Sequence, residues 1–549
     1  MTAAFVRFGE GGPAVRVPVG VTLREAASAA GVTLDAPCGG LGRCGRCRVR
    51  VSGAVGPPDP TERSLLIAEE LAAGVRLACR ARVDGDAVVA PPAREGLRAL
   101  DFGVSAALVV EPPEERGLPA EGPALGAAVD IGTTTVACLL AELRTGTVLG
   151  TAAALNPQVA EGHDVMSRVG AALGGKAAEL KAAATGAVEG LALGLLRDSG
   201  TGPEALLEMV VAGNTAMLGL FLGEDVSPLS ASPYQGAFVA STAREARSLG
   251  MPALRRCRVL TLPGASAFVG ADLTAGLLAT GLAGRDETAV LVDLGTNGEM
   301  LLRAPGVMIA TSAAAGPALE GATVSCGMRA EAGAIERVEW ASGDLAFTTI
   351  AEERPAGLCG SGLLDLVAVL LEAGALDSSG RLAPAPGGAL GRRVTEAGGR
   401  TAIRLAGGTL LTQGDVRQVQ LAKGAVRAGL DLLLAEARVD AGEIARVLVA
   451  GGFGLHVRPS ALTRMGLLPA VWEDRVVFAG NTALSGALRA LLSASARAEA
   501  DALASSVRTL DPAAHPEFQR RFIERLALER DADRPRCGER AGEGPATVP

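Results

Sequence analysis

The first 92 residues carry the alternating pattern of a small mixed α/β domain. Apolar and polar positions alternate over residues 3–9 and 13–18, which predicts two short strands. The next stretch, TLREAASAAG, has helical spacing, and CRVRVSG and DGDAVVAPP alternate again as later strands. We therefore predict a small sheet crossed by one helix. It is closed by Pro91 and Pro92, which gives a first domain over residues 1–92.

Residues 93–126 lack such a pattern. They are rich in Pro, Gly and Glu, as in EPPEERGLPAEGPALG, and only the short string ALVV resembles a strand. A composition of this kind is typical of a connection between domains. We predict a linker here, with at most a small ordered element.

From residue 127 the pattern changes to strands followed by long helices rich in Ala and Leu, and it occurs twice. The first round starts at AAVDIGTTTVACLLAEL and the second at TAVLVDLGTNGEMLL, and each continues with a returning strand and further strand–helix pairs. This predicts two similar α/β halves that face each other, over residues 127–284 and 285–530. The remaining residues, 531–549, have no periodicity and are predicted to be disordered.

The composition narrows the class of protein. Of the 549 residues, 48% are hydrophobic and 20% are charged, and the net charge of −8 disfavours nucleic acid or an anionic membrane as a partner. No apolar run of about eighteen residues occurs, and the N-terminus lacks the features of a secretory signal. We therefore predict a cytoplasmic protein. Only three of the 52 basic residues are lysines, so an individual arginine carries little functional signal.

Four cysteines near the N-terminus form the strongest chemical signal. Three lie in the glycine-rich string CGGLGRCGRC and one follows it, and they are Cys38, Cys44, Cys47 and Cys79. A 2Fe–2S cluster needs four thiolates, and the plant-type arrangement takes three from one loop. The spacing here, C-x5-C-x2-C, is one residue longer in its first gap than that pattern. The glycines suit a loop whose backbone approaches sulfide ions closely.

A structural zinc site also uses four cysteines, and disulfide bonds are a further alternative. Zinc does not require so much glycine, and we favour the iron–sulfur interpretation. With the predicted sheet and helix, residues 1–92 resemble a β-grasp ferredoxin that holds one cluster. The other five cysteines stand singly in the sequence and are interpreted as small buried hydrophobic side chains.

Two strand–turn sequences, AVDIGTTT and LVDLGTNGE, each follow a buried apolar strand at the head of one half. Their candidate site residues are Asp130, Gly132, Thr133, Thr134, Asp293, Gly295, Thr296 and Asn297. An aspartate at a strand end is suited to hold a water molecule bound to Mg²⁺, and the glycine and hydroxyl residues after it present donors to phosphate. Neither sequence has the lysine of a P-loop or a GxGxxG run.

One such sequence is weak evidence for phosphate binding, because an aspartate that caps a turn and a glycine with positive φ also explain it. Two of them, each heading one half, favour a nucleotide site, and the later glycine turn VAGGFG at Gly451 and Gly452 supports it. Lys423, in DVRQVQLAKGAVRAGL, is a candidate for the adenosine pocket, with a solvated helix face as the alternative.

Three polar residues lie where a helix is predicted to begin. Asp272 either positions the attacking water or caps its helix, and we favour the cap. Asn214 and Asn481 follow strands and are predicted to be N-caps. The polar loop that contains NPQ and HDVMSR has no function that the sequence reveals.

At these positions the chain resembles the ASKHA phosphotransferase superfamily, which includes acetate and sugar kinases, chaperone ATPases and actin. Such proteins clamp Mg-ATP between two ribonuclease-H-like halves. The resemblance implies that Asp130 and Asp293 face each other across the cleft as catalytic residues and organise Mg²⁺. It also implies a set of nucleotide-binding residues, namely Gly132, Thr133, Thr134, Gly295, Thr296, Asn297, Lys423, Gly451 and Gly452.

A ferredoxin joined to such an ATPase is more restrictive than either part alone. Over residues 1–500 the chain is similar to the ATP-dependent reductive activators of corrinoid proteins. The similarity includes the cluster loop, DIGTTT, NPQ, VAGNTAM, SPYQGAF, DLGTNGE, GLCGSGLLD, AGGFG and FAGNTALSGA. The implied fold class is a multidomain α/β protein with a β-grasp 2Fe–2S ferredoxin domain followed by two ribonuclease-H-like halves. The implied function is ATP-dependent transfer of one electron from the cluster to Co(II), which regenerates Co(I) for methyl transfer.

The resemblance further implies a corrinoid protein as the electron acceptor, an electron donor that the sequence does not identify, and the cofactors 2Fe–2S cluster, ATP and Mg²⁺. A homodimer is compatible with the sequence. Three alternatives remain open: a small-molecule kinase of the same fold, an ATP-dependent electron injector for a different metalloenzyme, and a module that only binds nucleotide.

Overall fold

The structure is a computed structural model. The residues it describes are 3–9, 11–30, 32, 34, 47–66, 68–90, 108–119, 121–232, 234, 239–382, 388–451 and 457–529. The tail predicted to be disordered, 531–549, and most of the cysteine loop lie outside these ranges. No helix among the described residues is long and apolar enough to cross a membrane.

The amino-terminal domain is built on one five-stranded sheet. Its elements are β1 Ala3–Phe8, β2 Ala14–Pro18, α1 Leu23–Ala29, β3 Arg48–Val55, α2 Pro60–Leu65, α3 Ala68–Ala72, β4 Val75–Leu77 and β5 Val83–Ala90. The strand order is β2-β1-β5-β3-β4, and β1 and β5 are parallel. This is the predicted β-grasp arrangement. The sequence pattern did not indicate α2, α3 or β4, because elements of three to six residues are too short to show a period.

The first of the two larger halves is a six-stranded sheet with helices. Its elements are β6 Leu125–Ile131, β7 Thr135–Glu142, β8 Val148–Leu155, α4 Val165–Ala171, α5 Ala177–Asp198, β9 Leu206–Gly213, α6 Thr215–Leu222, β10 Thr242–Glu245, α7 Ala246–Leu249, β11 Arg258–Thr261 and α8 Ala271–Thr280. The strand order is β10-β11-β9-β6-β7-β8. A π-helical turn over Ala172–Lys176 joins α4 to α5.

The second half repeats this arrangement and adds two small sheets. Its elements are β12 Ala289–Leu294, β13 Gly298–Ala304, β14 Val307–Ala313, β15 Ala334–Ala341, β16 Asp344–Thr349, β17 Gly357–Leu358, α9 Gly360–Glu372, α10 Ala389–Arg393, β18 Val394–Ala397, β19 Arg400–Arg404, β20 Leu410–Thr412, α11 Gln413–Ala437, β21 Arg446–Ala450, α12 Pro459–Arg464, β22 Val476–Gly480, α13 Thr482–Leu492, α14 Ala494–Ser506, β23 Arg508–Leu510 and α15 Phe518–Glu524.

The two large sheets share one topology. The order β22-β21-β12-β13-β14 in the second half matches β11-β9-β6-β7-β8 in the first, and the same pairs are parallel or antiparallel. The leading strands β6 and β12 are buried along almost their whole length, which explains their nearly continuous apolar sequences. Two predicted ribonuclease-H-like halves are thus confirmed as the architecture.

Helix α13 belongs to the second half by sequence but packs with the first. It lies against α8, β6 and β9, and its apolar residues join the same buried core. The approach to α8 is close, because a Cβ on Gly486 would overlap the carbonyl oxygen of Ala275. The halves are therefore connected by packed helices as well as by the chain that links them.

Part of the predicted linker is anchored to the start of α14. The carboxylate of Glu111 accepts hydrogen bonds from the Ser493 hydroxyl at 2.7 Å and from the amides of Ala494 and Ser495 at 2.7 and 2.8 Å. These bonds hold the pKa of Glu111 at about 2, against the opposing effect of its partial burial. Residues 108–110, the described part of the string ALVV, do not form a strand.

Candidate functional site

The two aspartates of the predicted phosphate sequences occupy equivalent places. Asp130 is the next-to-last residue of β6, and Asp293 is the next-to-last residue of β12. Each strand then turns through a tight hairpin into an antiparallel neighbour, β7 or β13. Because the two sheets share one topology, both carboxylates emerge at the same edge of their sheets.

The structure brings the two hairpins together at their hydroxyl groups. Thr134 Oγ1 lies 2.8 Å from Thr296 Oγ1. Both hydroxyls are also within hydrogen-bond distance of Glu320 Oε2, at 3.1 and 3.0 Å. Glu320 follows β14, in a turn closed by a bond from its amide to the Pro317 carbonyl. No local feature of the string GPALEG marks this glutamate, which only the tertiary contact identifies.

Two of the predicted phosphate ligands already have partners inside the fold. The Thr133 side chain is buried, and its hydroxyl accepts a hydrogen bond from Asn214 Nδ2 at 3.0 Å. The Asn297 side chain forms a hydrogen bond with the carboxylate of Glu299. The fold therefore holds both side chains in place, and the Thr133 hydroxyl keeps its own proton to donate.

Five carboxyl groups gather in the cleft, and their environment favours protonation. They are Asp130, Asp272, Asp293, Glu299 and Glu320. Burial, assisted by the charge of Asp272, raises the pKa of Asp130 to about 7, although a hydrogen bond from Asn481 opposes this. Burial and the charges of Asp272, Asp130 and Glu320 raise the pKa of Asp293 to about 8.

The other three carboxyl groups follow the same rule. Burial raises the pKa of Asp272 to about 6. Burial and the charges of Asp272 and Asp293 raise the pKa of Glu299 well above its usual value. Burial also raises the pKa of Glu320, against the hydrogen bonds from the two threonines. A cleft that gathers five buried carboxyl groups is suited to a bound cation, which would favour their ionised forms.

The residues present fit Mg²⁺ that arrives together with a nucleotide. No three His, Cys, Asp or Glu side chains of the described part of the chain converge closely enough to enclose a metal ion by themselves. Mg²⁺ in nucleotide sites is commonly held by one or two carboxylates, with phosphate oxygens and water completing its shell. Asp130 and Asp293 are the two carboxylates that this cleft offers in the predicted positions.

The prediction that Asp272 caps its helix is wrong. The N-cap of α8 is Gly270, and Asp272 lies in the first turn, where its Oδ1 accepts from the Leu273 amide at 2.8 Å. Gly270 packs so closely against the chain at Asn214 that an added Cβ would lie 2.6 Å from the Asn214 Cα atom. A capping side chain has no room there, and Asp272 contributes its charge to the cleft instead.

The predicted caps Asn214 and Asn481 are confirmed. Their side-chain oxygens accept from the amides of Met217 at 3.0 Å and Leu484 at 2.7 Å, at the starts of α6 and α13. Asn481 also donates from Nδ2 to Asp130 Oδ2 at 2.9 Å, across the chain from one half to the other. The cap therefore orients a cleft carboxylate as well, a role that the sequence did not indicate.

The glycine turn after β21 lies beside the second phosphate sequence. Gly451 has φ of +113°, and a Cβ there would overlap the Leu294 carbonyl and lie 3.2 Å from Asp293 Oδ1. Only glycine allows this close approach. Gly452, the other predicted residue of this turn, lies outside the described residues, so its contact with the purine or ribose stays a prediction.

Lys423 has a structural role that neither sequence-based interpretation anticipated. Its side chain is buried in α11, so the alternative of a solvated helix face is wrong. The Nζ atom donates to the carbonyls of Arg525 and Ala527, at 2.8 and 2.5 Å. It thereby fixes the segment after α15 against the long helix. Its predicted contact with adenosine stays a prediction.

The amino-terminal domain brings two of the four predicted cluster cysteines together. Cys47 and Cys79 are both buried, and their Sγ atoms are 3.2 Å apart. The Cys79 amide donates to Cys47 Sγ at 3.4 Å, a contact that stabilises thiolate charge. Two adjacent buried sulfurs with an amide donor fit an iron-bound pair. Cys38 and Cys44 lie outside the described residues.

A buried ion pair supports β4, the strand that leads to Cys79. Glu62 and Arg76 form a salt bridge of 2.7 Å with almost no solvent exposure. Glu62 also accepts from the Leu77 amide at 2.9 Å, and Arg76 donates to the Gly56 carbonyl at 2.7 Å. Because both side chains have hydrogen-bond partners, the Glu62–Arg76 pair fixes the end of β4, two residues before Cys79.

Comparison with known sequence families covers most of the chain. Residues 10–84 match the family described as "2Fe-2S iron-sulfur cluster binding domain". Residues 125–285 match "RACo middle region", and residues 287–536 match "C-terminal domain of RACo the ASKHA domain". The three matches follow one another in the order of the ferredoxin-like domain and the two halves.

Individual proteins agree with these matches. The chain is 30% identical over 447 residues to "Corrinoid activation enzyme RamQ" of Eubacterium limosum, which covers 78% of this chain and 74% of that protein. It is 27% identical over 311 residues to the reductase of the Co(II) methylated amine-specific corrinoid protein of Methanosarcina barkeri, covering 50% of this chain and 54% of that protein. A solved structure titled "Reductive activator for corrinoid,iron-sulfur protein" superimposes with a TM-score of 0.70 at 29% identity, covering 96% of this chain and 98% of that one.

Proposed function

This chain belongs to the RACo family, and we propose that it reductively activates a corrinoid protein with the use of ATP. One electron passes from the 2Fe–2S cluster of the amino-terminal domain to Co(II), which regenerates Co(I) for methyl transfer. One observation carries the proposal. A single chain joins a buried sulfur pair, Cys47 and Cys79, to a cleft in which two phosphate hairpins meet at Thr134 and Thr296.

The cleft residues have distinct roles in this proposal. The hydroxyls of Thr134 and Thr296 and the hairpin amides donate to the phosphates of ATP. Asp130 and Asp293 provide carboxylate oxygens for Mg²⁺, and the cation lowers their raised pKa values so that both are ionised. Asn481 orients Asp130 through its bond to Oδ2.

The amino-terminal residues hold the electron carrier. The cluster supplies a single electron when it is bound. Cys47 and Cys79 provide two thiolates, and we assign the other two to Cys38 and Cys44. Burial of the sulfur pair keeps water away from the thiolates, and the Cys79 amide donates to one of them.

ATP is required because Co(II) of the corrinoid protein is difficult to reduce. A gap of about 0.2 V between two one-electron couples corresponds to roughly 4–5 kcal/mol. A ligand shifts an equilibrium by such an amount only if it binds one state preferentially. The hairpins belong to different halves, so a nucleotide that contacts both favours one arrangement of the halves. We assign to that arrangement the docking of the corrinoid protein.

The proposal is tested by following cobalt reduction without oxygen. The corrinoid protein is supplied as Co(II), the activator is chemically reduced, and Co(I) is measured by absorption with and without ATP. We expect Co(I) to accumulate only with ATP, and not with the variant Asp293→Asn. Equal yields with and without ATP would remove the coupling. Phosphate transfer to an added metabolite without any reductant would favour a kinase instead.

Two further statements stay predictions from the sequence, namely assembly as a homodimer and a cytoplasmic location. The sequence does not identify the electron donor. Light scattering coupled to size-exclusion chromatography measures the mass of the assembly directly. A mass of one chain, 55.1 kDa, would contradict the homodimer.

A further inference from the structure

The turn between β6 and β7, residues 132–134, is the first phosphate hairpin. Its three consecutive carbonyl groups all accept hydrogen bonds from one neighbouring segment. The Gly132 carbonyl accepts from Asn156 Nδ2 at 2.8 Å, and the Thr134 carbonyl accepts from the Asn156 amide at 2.9 Å. The carbonyl between them, that of Thr133, accepts from Arg168 Nη2. All three donors come from the loop with the sequences NPQ and HDVMSR, to which the sequence assigned no function.

These three hydrogen bonds determine the direction in which the hairpin amides point. In a planar trans peptide the N–H group is directed opposite to the carbonyl of the preceding residue. Since the carbonyls of Gly132 and Thr133 face the loop, the amides of Thr133 and Thr134 face away from it. Within the described residues, neither amide has a backbone acceptor. Two N–H groups that face away from the loop and have no backbone partner in the described part of the chain are the donors that an anion needs.

Arg168 lies in α4, at the end of this segment, and is completely buried. Its guanidinium donates to the carbonyls of Gly162 and Thr133, to Gln158 Oε1 and to the sulfur of Met217. These four partners, all among the described residues, are neutral. Arg168 therefore carries a positive charge that hydrogen bonds satisfy but that no carboxylate in those contacts neutralises.

Thr133 is also connected to Arg168 through Met217 and Asn214. Met217, which contacts Arg168, donates its amide to Asn214, and Asn214 in turn donates to the Thr133 hydroxyl. Thr133 is thus held by its carbonyl from Arg168 and by its hydroxyl from Asn214. The neighbouring Thr134 hydroxyl points instead toward the opposite hairpin.

Asp164 attracts this charge from outside those contacts, but a buried charge with no ion pair among the described residues is still costly for the folded protein. The cost is visible in the pKa of Arg168, which burial lowers to about 9. An anion bound on the other side of the hairpin would partly compensate this charge, because attraction between charges is strong where water is excluded. The position of Arg168 behind the hairpin fits such an arrangement.

We propose that Arg168 is a positioning residue for the polyphosphate of the nucleotide. It holds the Thr133 carbonyl so that the hairpin amides present themselves to the phosphates, and its charge attracts the same anion through the hairpin. The inference rests on the proposed nucleotide-dependent function and deepens it. It assigns to the NPQ and HDVMSR loop the support of the first phosphate hairpin.

The test compares ligands with and without phosphates. Binding of ATP, ADP and adenosine to the full chain is measured for the wild type and for Arg168→Gln, by competition against a fluorescent ATP analogue. We expect the variant to lose about tenfold or more in affinity for ATP and ADP, the effect typical of a lost charged hydrogen-bond partner. Its affinity for adenosine should stay the same, because adenosine does not contact the hairpin.

Arg116→Gln is a matched control. The Arg116 side chain is 2% exposed and also donates to two backbone carbonyls, of Leu143 and Leu491, but these lie away from the hairpin. It should bind ATP like the wild type. If Arg168→Gln does not fold, Asn156→Ala is the second variant, because it removes the hydrogen bond to the Gly132 carbonyl without a change of charge. This variant should weaken ATP binding by a smaller factor and leave the affinity for adenosine unchanged.

The outcomes separate the inference from the function on which it rests. A folded Arg168→Gln, with an unchanged cluster spectrum and wild-type affinity for ATP, would overturn the inference. Equal losses for ATP and adenosine would also overturn it, since they indicate general disruption. Failure of the wild type to bind any of the three ligands would instead contradict the proposed nucleotide-dependent function.

Discussion

The hydroxyl oxygens of Thr134 and Thr296 lie 2.8 Å apart, although 162 positions separate the two residues in the sequence. Each belongs to one phosphate hairpin, so the two halves of the protein meet at these hydroxyls. Glu320 Oε2 lies within 3.1 Å of both. A carboxylate oxygen thus stands at a point where a phosphate oxygen would find the same two donors.

Replacing Glu320 is expected to strengthen ATP binding. In Glu320→Ala a phosphate no longer has to displace a carboxylate from the two threonines, and a nearby negative charge is removed. We expect the affinity for ATP to rise about 3- to 10-fold, the range of one net hydrogen bond. Isothermal titration calorimetry measures the change, and Glu353→Ala, an exposed glutamate of the same half, is the control. Weaker ATP binding by Glu320→Ala would show that the carboxylate assists the nucleotide.

The two cleft aspartates are expected to be needed for hydrolysis of ATP. Asp130→Asn and Asp293→Asn keep the size of the side chain but remove the charge that holds Mg²⁺. We expect the turnover number for ATP to fall at least about a hundredfold in each, as for other losses of electrostatic stabilisation. Release of phosphate is the measurement. The exposed Asp286→Asn should retain full activity, and an equal fall in that variant would point to an indirect effect.

The stability of the nucleotide-free protein should fall as the pH rises. The pKa values of Asp130 and Asp293, about 7 and 8 in the folded protein, exceed the usual value of about 3.9 for an unfolded aspartate. Between these limits the native state holds protons that the unfolded chain has released, so raising the pH favours unfolding. We expect the melting temperature to decrease from about pH 4 to about pH 8.

The same pH series with Asp293→Asn tests the cause. The amide cannot titrate, so the decrease should become smaller, most clearly between pH 6 and pH 8, near the Asp293 pKa of about 8. Adding Mg²⁺ with ATP should raise the melting temperature most at high pH, where the carboxylates are ionised most readily. A wild-type melting temperature that rises from pH 5 to pH 8 would contradict the assigned pKa shifts.

Loss of a cluster cysteine should abolish the iron–sulfur absorption without unfolding the ATPase halves. Cys79→Ala removes one of the two adjacent buried sulfurs, and Cys47→Ala removes the other. We expect either variant, reconstituted with iron and sulfide without oxygen, to lack the visible spectrum of the wild type. Cys257→Ala, which changes a buried cysteine of the first half, is the control and should keep it. An unchanged spectrum in Cys79→Ala would exclude Cys79 as a ligand.

Lys423→Met should destabilise the protein and release its C-terminal segment. The methionine cannot donate to the carbonyls of Arg525 and Ala527, and a buried carbonyl left without its donor costs about 1–3 kcal/mol. We expect a lower melting temperature and faster proteolytic cleavage near α15, with ATP affinity unchanged. Lys176→Met, at an exposed lysine, should have neither effect. A loss of ATP affinity at unchanged stability would favour the adenosine contact predicted from the sequence.

The sequence by itself determined the elements whose causes are local. Buried strands such as β6 and β12 are nearly continuous apolar runs, and the Asp-x-Gly hairpins after them are marked by residues three or four positions apart. Their repetition along the chain predicts two equivalent halves. The grouping of Cys38, Cys44 and Cys47 on one loop is likewise a local pattern. These features require only that neighbouring residues share one environment.

Only the tertiary structure decided which distant residues share the cleft. Glu320 reaches Thr134, Asn481 reaches Asp130, and Arg168 holds the first hairpin, and no spacing in the sequence marks these pairs. Such contacts depend on how helices and sheets pack across the two halves, and a pattern of neighbouring residues does not contain that information. A buried polar side chain is identified by its partners, and those partners come together only when the chain folds.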